Sequence, residues 1–394
     1  MVKYLRNTMV PLLLFGASLT CAASSQASES VKIGMITTLS GGGSSLGIDI
    51  RDGFKLAVDQ EQGKLGGYPV ELLIEDDARN PGKAKQIATR LTKKDKVDIL
   101  TGIVWSNLAM AVVPSVTRSG TVYISPNAGP SKLAGDGCSP NYFNVAWQND
   151  NLHEAMGQYV TDKGYKKVYI LAPNYPAGKD ALTGFKRFYK GDVVGEVYTK
   201  LGQTDYATEL AALRAAKPDA VFFFLPGGMG ISFLKQYQQA GLNTSTPLFG
   251  PAFSFDQGIL KATGDSALGI INSSQWSKDL DNAANLQFVS AFQQAYGRLP
   301  SLYASQGYDA ARLIASALKN TQGNLDDKET FRSALKQADF DSVRGAFRFG
   351  NNQHPIQDIY IREVFKDDKG VLSNRVVGVG LSNHQDAYAS QCTM

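Results

Sequence analysis

The stretch Gly43-Ser44-Ser45-Leu46-Gly47 has the G-x-S-x-G spacing with which a strand-to-helix elbow exposes a nucleophilic serine. Such a serine needs a histidine base, and the chain offers three, His153, His354 and His384. An elbow turns sharply off its strand, whereas here the glycines at 41–43 separate Ser45 from the preceding apolar run. A secreted serine hydrolase is therefore the remote reading, and a glycine-rich loop that lets backbone approach a ligand is the favoured one. No Lys-Ser/Thr follows these glycines to cradle a phosphate and no G-x-G-x-x-G follows a strand, so no cofactor is expected. The histidines are scattered without metal-ligand spacing; they read as exposed polar residues, and no metal site is expected. Asp76 and Asp77 are adjacent at a strand end and point to opposite faces, which suits capping or ion pairing better than acid–base work.

What survives is binding chemistry. Ser106 falls where a strand ends and a helix begins, so its hydroxyl and the first-turn amides can hold a carboxylate, helped by the helix dipole. Simple helix capping is the other role open to it. Asn127, Ala128 and Gly129, after the neighbouring strand, can add backbone amides from the same side. Trp105, Trp147, Tyr175, Phe224 and Phe253 fall near strand ends or a crossing between units, where aromatic rings can enclose an apolar ligand body. Phe222 and Phe223 share a strand with Phe224 and are assigned to the core.

The elements that must hold these residues follow one rhythm. Val31–Leu39 is a β-rich run, and Ile50, Phe54 and Ala57 mark a helix that stops by Gly63. Strand Val70–Ile74 precedes a helix capped by Asn80 and Pro81. Strand Val97–Leu100, a helix carrying Ala109, Val112, Val113 and Val116, and strand Val122–Ile124 complete the first unit. A second unit runs through a helix from Asn151, strand Val168–Leu171, a helix around Phe185–Tyr189, helix Tyr206–Ala216, strand Ala220–Leu225, helix Met229–Ala240 and strand Pro247–Phe249. Leu268–Ile271 is read as a further strand, with helices near Leu286–Tyr296 and Ser301–Leu318, then strands Tyr360–Phe365 and Val371–Val377. The alternation predicts an α/β protein of two similar Rossmann-like units with mostly parallel central sheets. In such sheets ligands sit beyond the carboxyl ends of the strands. Those ends are Leu39–Ser45, Trp105 with Ser106, Ser125–Gly129, Asn174 with Tyr175, Pro226–Gly228 and Ala252 with Phe253.

The chain has 394 residues, 43% hydrophobic and 19% charged, which suits a globule of two or three domains and excludes disorder as the main state. Its formal charge is only +4, no footprint for nucleic acid. Lys3 and Arg6, the apolar stretch Met9–Leu19 and the small residues after Cys21 read as a secretory signal peptide over 1–23, with cleavage as late as Ala27. Thr20 before Cys21 disfavours lipid attachment there. Without Cys21 the chain keeps Cys138 and Cys392, and an even count in an oxidising compartment favours one disulfide between them. Two free buried thiols are the alternative.

From Val31 to about Phe365 the sequence resembles the periplasmic substrate-binding proteins of branched-chain amino acid type ABC transporters, the type I periplasmic binding proteins. Ser40-Gly41 after the first strand, Glu75-Asp76-Asp77, Ser125-Pro126-Asn127-Ala128 and Phe249-Gly250-Pro251 carry the resemblance. It implies two lobes joined by hinge strands: lobe 1 over 30–147 and 276–348, lobe 2 over 148–275 and 349–378, and a tail over 379–394. It also implies a ligand trapped between the lobes by hinge closure, delivery to the permease subunits of an importer, and contact with the inner membrane through that permease alone. Family members that bind α-amino acids supply a serine for the ligand carboxylate at the position of Ser106, and further contacts at Asn127–Gly129. After the Gly-Pro turn they carry an acidic residue for the ammonium, and here that position is Ala252, followed by Phe253. An ammonium is costly to bury without a partner, so an aromatic or apolar organic acid is the expected ligand. Asn174 or Asn127 would meet a phenolic hydroxyl, and Ser40, Gly41, Gly227, Trp147 and Tyr175 complete the candidate set. An amino acid-binding protein and a ligand-sensing receptor are the alternative readings.

Overall fold

A computed structural model describes residues 1–5 and 30–394 of the chain. The expected signal peptide, its cleavage sites and Cys21 lie, from residue 6 onward, outside the described residues.

The first unit runs β1 (Val31–Thr37), α1 (Ser44–Gln60), β2 (Lys64–Leu65), β3 (Tyr68–Asp76), α2 (Pro81–Lys93), β4 (Ile99–Thr101), α3 (Ser106–Arg118), β5 (Val122–Ser125), α4 (Ser131–Ala134) and β6 (Tyr142–Asn144). The second runs α5 (Asn151–Asp162), β7 (Lys167–Pro173), α6 (Pro176–Phe188), β8 (Asp192–Thr199), α7 (Ala207–Ala216), β9 (Ala220–Phe223), α8 (Gly228–Gln239), β10 (Leu248–Pro251), α9 (Gln257–Thr263) and β11 (Ile271–Ser274). The chain then lays down α10 (Ala283–Tyr296), α11 (Leu302–Asn320) and α12 (Lys328–Gln337), and finishes with β12 (Arg348–Phe349), β13 (Pro355–Lys366) and β14 (Leu372–His384).

One sheet has the order β2-β3-β1-β4-β5-β6, parallel except for the short β2–β3 hairpin. The other has the order β12-β13-β11-β10-β9-β7-β8, with β14 paired to β13. Its β7 to β11 pairings are parallel, while β12, β13 and β14 join antiparallel. Helix α11 returns to the first unit and crosses α1 at close range. A Cβ on Gly53 would stand 1.9 Å from the Ala304 carbonyl oxygen, and one on Gly307 would stand 2.1 Å from that of Ile50. Glycine at both positions lets the two backbones touch.

The strand periodicities hold, and the differences have simple causes. The expected strand at Leu268–Ile271 lies instead at Ile271–Ser274. Leu268 is exposed, while the polar Asn272, Ser273 and Ser274 are buried because each finds a hydrogen-bond partner. The helix expected around Phe185–Tyr189 begins at Pro176, where the proline occupies the first turn. Strand β8 was not expected, since its half-exposed residues carry no apolar run. Strand β14 continues through His384 and so passes residue 379, where the tail was expected to begin. Cys138 and Cys392 form the expected disulfide, with Cα atoms 5.8 Å apart.

Three connections pass between the units, and a buried arginine knits two of them. Arg344 pairs with Asp309 of α11 at 3.1 Å and donates to the Ala146 carbonyl and to Gln357 Oε1. Gln357 donates to the same carbonyl.

Candidate functional site

Asp76 and Asp77 fasten the loop after β1, in keeping with the capping role expected of them. Asp76 accepts from the Leu39 amide and the Ser40 hydroxyl, and Asp77 accepts from Thr38 Oγ1 at 2.7 Å and the Arg79 amide. Thr38 Oγ1 in turn accepts the Trp105 indole N–H at 3.1 Å, so a chain of three residues fixes that ring. Gly43, at φ 108°, is what makes room for it, since a Cβ there would lie 2.5 Å from Trp105 Cζ2. The glycine-rich loop thus lets backbone approach an aromatic ring. Ser45 is exposed in the first turn of α1, and among the described residues no histidine is bonded to it.

Trp105 caps α3 and Ser106 is its first residue. The N–H groups of Ser106 and Asn107 open the helix with no partner among the described residues, while that of Leu108 bonds the Trp105 carbonyl at 3.0 Å, so this end of α3 presents two free amide donors. Asn149 decides what the serine hydroxyl does. Its Nδ2 donates to Ser106 Oγ at 3.1 Å and to Asp180 Oδ2 at 2.9 Å, while its Oδ1 accepts the Gly129 amide. With a lone pair of Ser106 Oγ occupied, the hydroxyl hydrogen is left for another acceptor. Burial pushes the Asp180 carboxyl upward in spite of its bonds from Ser131 and Asn149.

These groups border a small cavity between the units, with about 380 Å³ of non-atom space that includes its open mouth. Trp105, Ser106 and Asn127 reach it from the first unit, Tyr175, Phe224 and Phe253 from the second, Trp147 and Asn149 from the crossing, and Tyr303 from α11. Trp147 and Phe253 meet edge to face at 4.8 Å, Phe253 and Phe224 at 5.4 Å, and Tyr175 stacks on Phe224 at 6.3 Å. Trp105 packs against Tyr175 across the gap at 6.4 Å. Asn127 is held by Val104 and Gln306, which leaves its amide committed to the protein. Burial raises the Tyr175 and Tyr303 hydroxyls far above the ordinary tyrosine range, so both remain neutral. No Asp, Glu, Lys or Arg lines the cavity among the described residues. Arg79 lies over Trp105 at 5.3 Å and bonds the Gly42 carbonyl, at the margin where Gly202 of the other unit approaches.

The structure therefore brings Trp105, Ser106, Asn127, Trp147, Tyr175 and Phe253 of the candidate set to one cavity. It places Ser40, Gly41, Ala128, Gly129, Asn174, Ala252 and Gly227 outside the lining. The Ala128 carbonyl accepts from Ser125, Tyr142 and Asn144, and the Gly129 amide serves Asn149. Ser40 bonds Asp76, Asn174 is exposed, and Ala252 is buried behind Phe253.

The histidines depart from expectation. His153 and His354 are fully buried, and His384 is half-buried against Glu154. His153 lines the cavity, with Nδ1 2.7 Å from the Asn149 carbonyl. His153 and Tyr303 were missed because each is a polar or amphipathic residue in a helix's first turn, and Asn149 because it is a polar residue of the connection before α5; all three positions read as solvent-facing. The run Gln148-Asn149-Asp150-Asn151 was the available signal, as four hydrogen-bonding side chains stand between a strand and a helix and all are buried. Among the described residues no cluster of His, Cys, Asp or Glu could hold a metal, and no helix is long and apolar enough to cross a membrane.

The profile of a family described as "Periplasmic binding protein" matches residues 30–369. The chain is 28% identical over 370 residues to "Leu/Ile/Val-binding protein homolog 6" of Brucella melitensis biotype 1, covering 92% of this chain and 94% of that one. Among solved structures it resembles an ABC transporter solute-binding protein of R. palustris in complex with benzoate, with TM-score 0.87, 32% identity, and coverage of 93% and 100% of the two chains. A second such protein, from Rhodopseudomonas palustris BisB5 in complex with 3,4-dihydroxybenzoic acid, gives TM-score 0.84 and 31% identity over 91% and 99%. A leucine-binding protein of Thermotoga maritima shares the fold at TM-score 0.78 and 20% identity, over 89% of this chain and 98% of that one.

Proposed function

The chain belongs to the periplasmic binding protein family, and from that premise we propose that it captures an aromatic carboxylic acid between its two units for an ATP-driven importer. The observation that carries the reading is the cavity itself. It has aromatic walls, a serine hydroxyl free to donate at a helix start and, among the described residues, no charged side chain on its lining. A carboxylate suits the Ser106 end, where first-turn amides and the hydroxyl can each donate. A benzoate-sized ring suits the walls formed by Trp105, Tyr175, Phe224 and Phe253. An α-ammonium would be buried without a carboxylate partner, at a cost of several kcal/mol by the usual desolvation penalty (~2–7 kcal/mol even for a neutral polar group). The solute-binding proteins crystallised with benzoate and hydroxybenzoates support the same ligand class.

Capture works by hinge closure. A ligand that touches Ser106 of one unit and Phe253 of the other makes its full set of contacts only when the units meet, and that differential affinity shifts the population. The periplasm is the compartment of action, the permease is the partner, and it would read the closed pair of units.

The test is calorimetry on protein unfolded and refolded to strip any bound solute. Benzoate or a hydroxybenzoate is expected to bind and to raise the melting temperature, and leucine is expected to do neither. Ser106→Ala is expected to weaken the aromatic acid by about 1.5–3 kcal/mol, the usual worth of a hydrogen bond to a charged group. Binding of leucine with no response to aromatic acids would overturn the reading.

A further inference from the structure

We propose that His153 is the acceptor for a hydroxyl group on the ligand, so that the cavity selects a hydroxylated aromatic acid over its unsubstituted parent. This rests on reading the cavity as an aromatic carboxylate site and assigns its second polar contact.

The Asn149 carbonyl can only accept, so the 2.7 Å contact makes His153 Nδ1 the protonated nitrogen. Nε2 of the neutral ring then carries a lone pair. That atom is buried and has no hydrogen-bond partner among the described residues, although the ring lines the cavity. A buried acceptor without a donor is a cost the fold does not normally bear, and a ligand hydrogen would remove it.

The surroundings say which hydrogen. Phe222 and Phe224 meet the imidazole edge to face at 5.9 and 5.0 Å, and Phe253 lies 6.1 Å away, so these neighbours offer nothing polar. The acidic groups nearby are turned elsewhere. Glu154 is engaged by Arg187, His384 and Asn151, Asp150 by Arg187, Gln148 and Tyr388, and Asp180 by Ser131 and Asn149. Desolvation holds the imidazole down at about 4, so it is neutral in the empty protein at ordinary pH. An ionised carboxylate set against Nε2 would place two acceptors face to face. The carboxylate therefore belongs at Ser106, and a neutral O–H belongs at His153. The hydroxyls of Tyr175 and Tyr303, which have no partner among the described residues, line the same cavity and can donate to that oxygen in return.

The experiment compares benzoate, the three monohydroxybenzoates and their methyl ethers by calorimetry on the stripped full-length mature protein. At least one hydroxy isomer is expected to bind tenfold or more tightly than benzoate, and its methyl ether, which keeps the oxygen and loses the hydrogen, is expected to lose that gain. In His153→Phe the ratio of hydroxybenzoate to benzoate affinity is expected to fall to near one, and in His153→Gln, which restores an acceptor, to recover in part. Equal affinities for benzoate and every hydroxy isomer in the wild-type protein would overturn the proposal without any variant. So would a ratio unchanged in His153→Phe, or uptake of a proton on benzoate binding that vanishes in that variant, which would assign His153 to the carboxylate. Failure of every aromatic acid to bind would instead overturn the ligand class, and this proposal with it.

Discussion

Asn149 touches three partners that matter to the site: Ser106, Asp180 and the Gly129 amide. Removing it leaves a buried amide and a buried carboxylate each short of one partner and frees the serine to rotate. Asn149→Ala is expected to lower stability by about 1–3 kcal/mol and to weaken the ligand, read as urea midpoint and calorimetric Kd. His153 makes the empty protein acid-sensitive. Its pKa falls from 6.5 to about 4 through burial, so below pH 6.5 the unfolded chain takes up a proton that the folded chain refuses. Stability from this residue is complete above pH 6.5 and is lost as pH falls toward 4, on the order of 3 kcal/mol in all. Urea midpoints at pH 6.5 and 4.5 are expected to differ less in His153→Phe than in the wild type. Trp105 and Ser106 were legible in the sequence because a strand end meets a helix start at that point. Asn149 and His153 were not, because the rings of Phe222, Phe224 and Phe253 around His153 and the partners of Asn149 at Ser106, Gly129 and Asp180 come from distant parts of the chain, which no local pattern announces.

At the scale of elements, the sheet interior and the flanking helices were read from periodicity, and the long-range crossings were not. Nothing in the spacing of α1 foretells that α11, some 250 residues later, lies against Gly53. The crossing is tight enough to test. Gly307→Ala would drive its Cβ to 2.1 Å from the Ile50 carbonyl oxygen, and the variant is expected to lose about 1–3 kcal/mol, visible as a lower melting temperature. The β11 register shows the opposite failure, in which apolar Leu268 was given a strand and the polar run after it was not. Asn272 is buried because Arg362 and Asn374 bond it, a compensation supplied by β13 and β14.

At the scale of the whole molecule, the two sheets meet over the cavity and the units touch around its margin, as at Arg79 and Gly202. Stripped protein is expected to open, and saturating aromatic acid to contract it, measured as a fall in radius of gyration by solution scattering; an unchanged curve would speak against hinge closure. The tail reaches back to the crossing, where Tyr388 bonds Asp150 and Asn352 bonds both Asp386 and the Ala134 carbonyl. The bridge between Cys138 and Cys392 closes a span of 254 residues, and replacing both with serine is expected to cost about 2–5 kcal/mol, read by urea titration. An exported chain threads through its channel amino end first. Cys138 therefore arrives long before Cys392, and the stretch between them contains no third sulfhydryl to trap it. Mispairing has one available culprit in the sequence, Cys21, and cleavage of the expected signal peptide would remove it before Cys392 arrives.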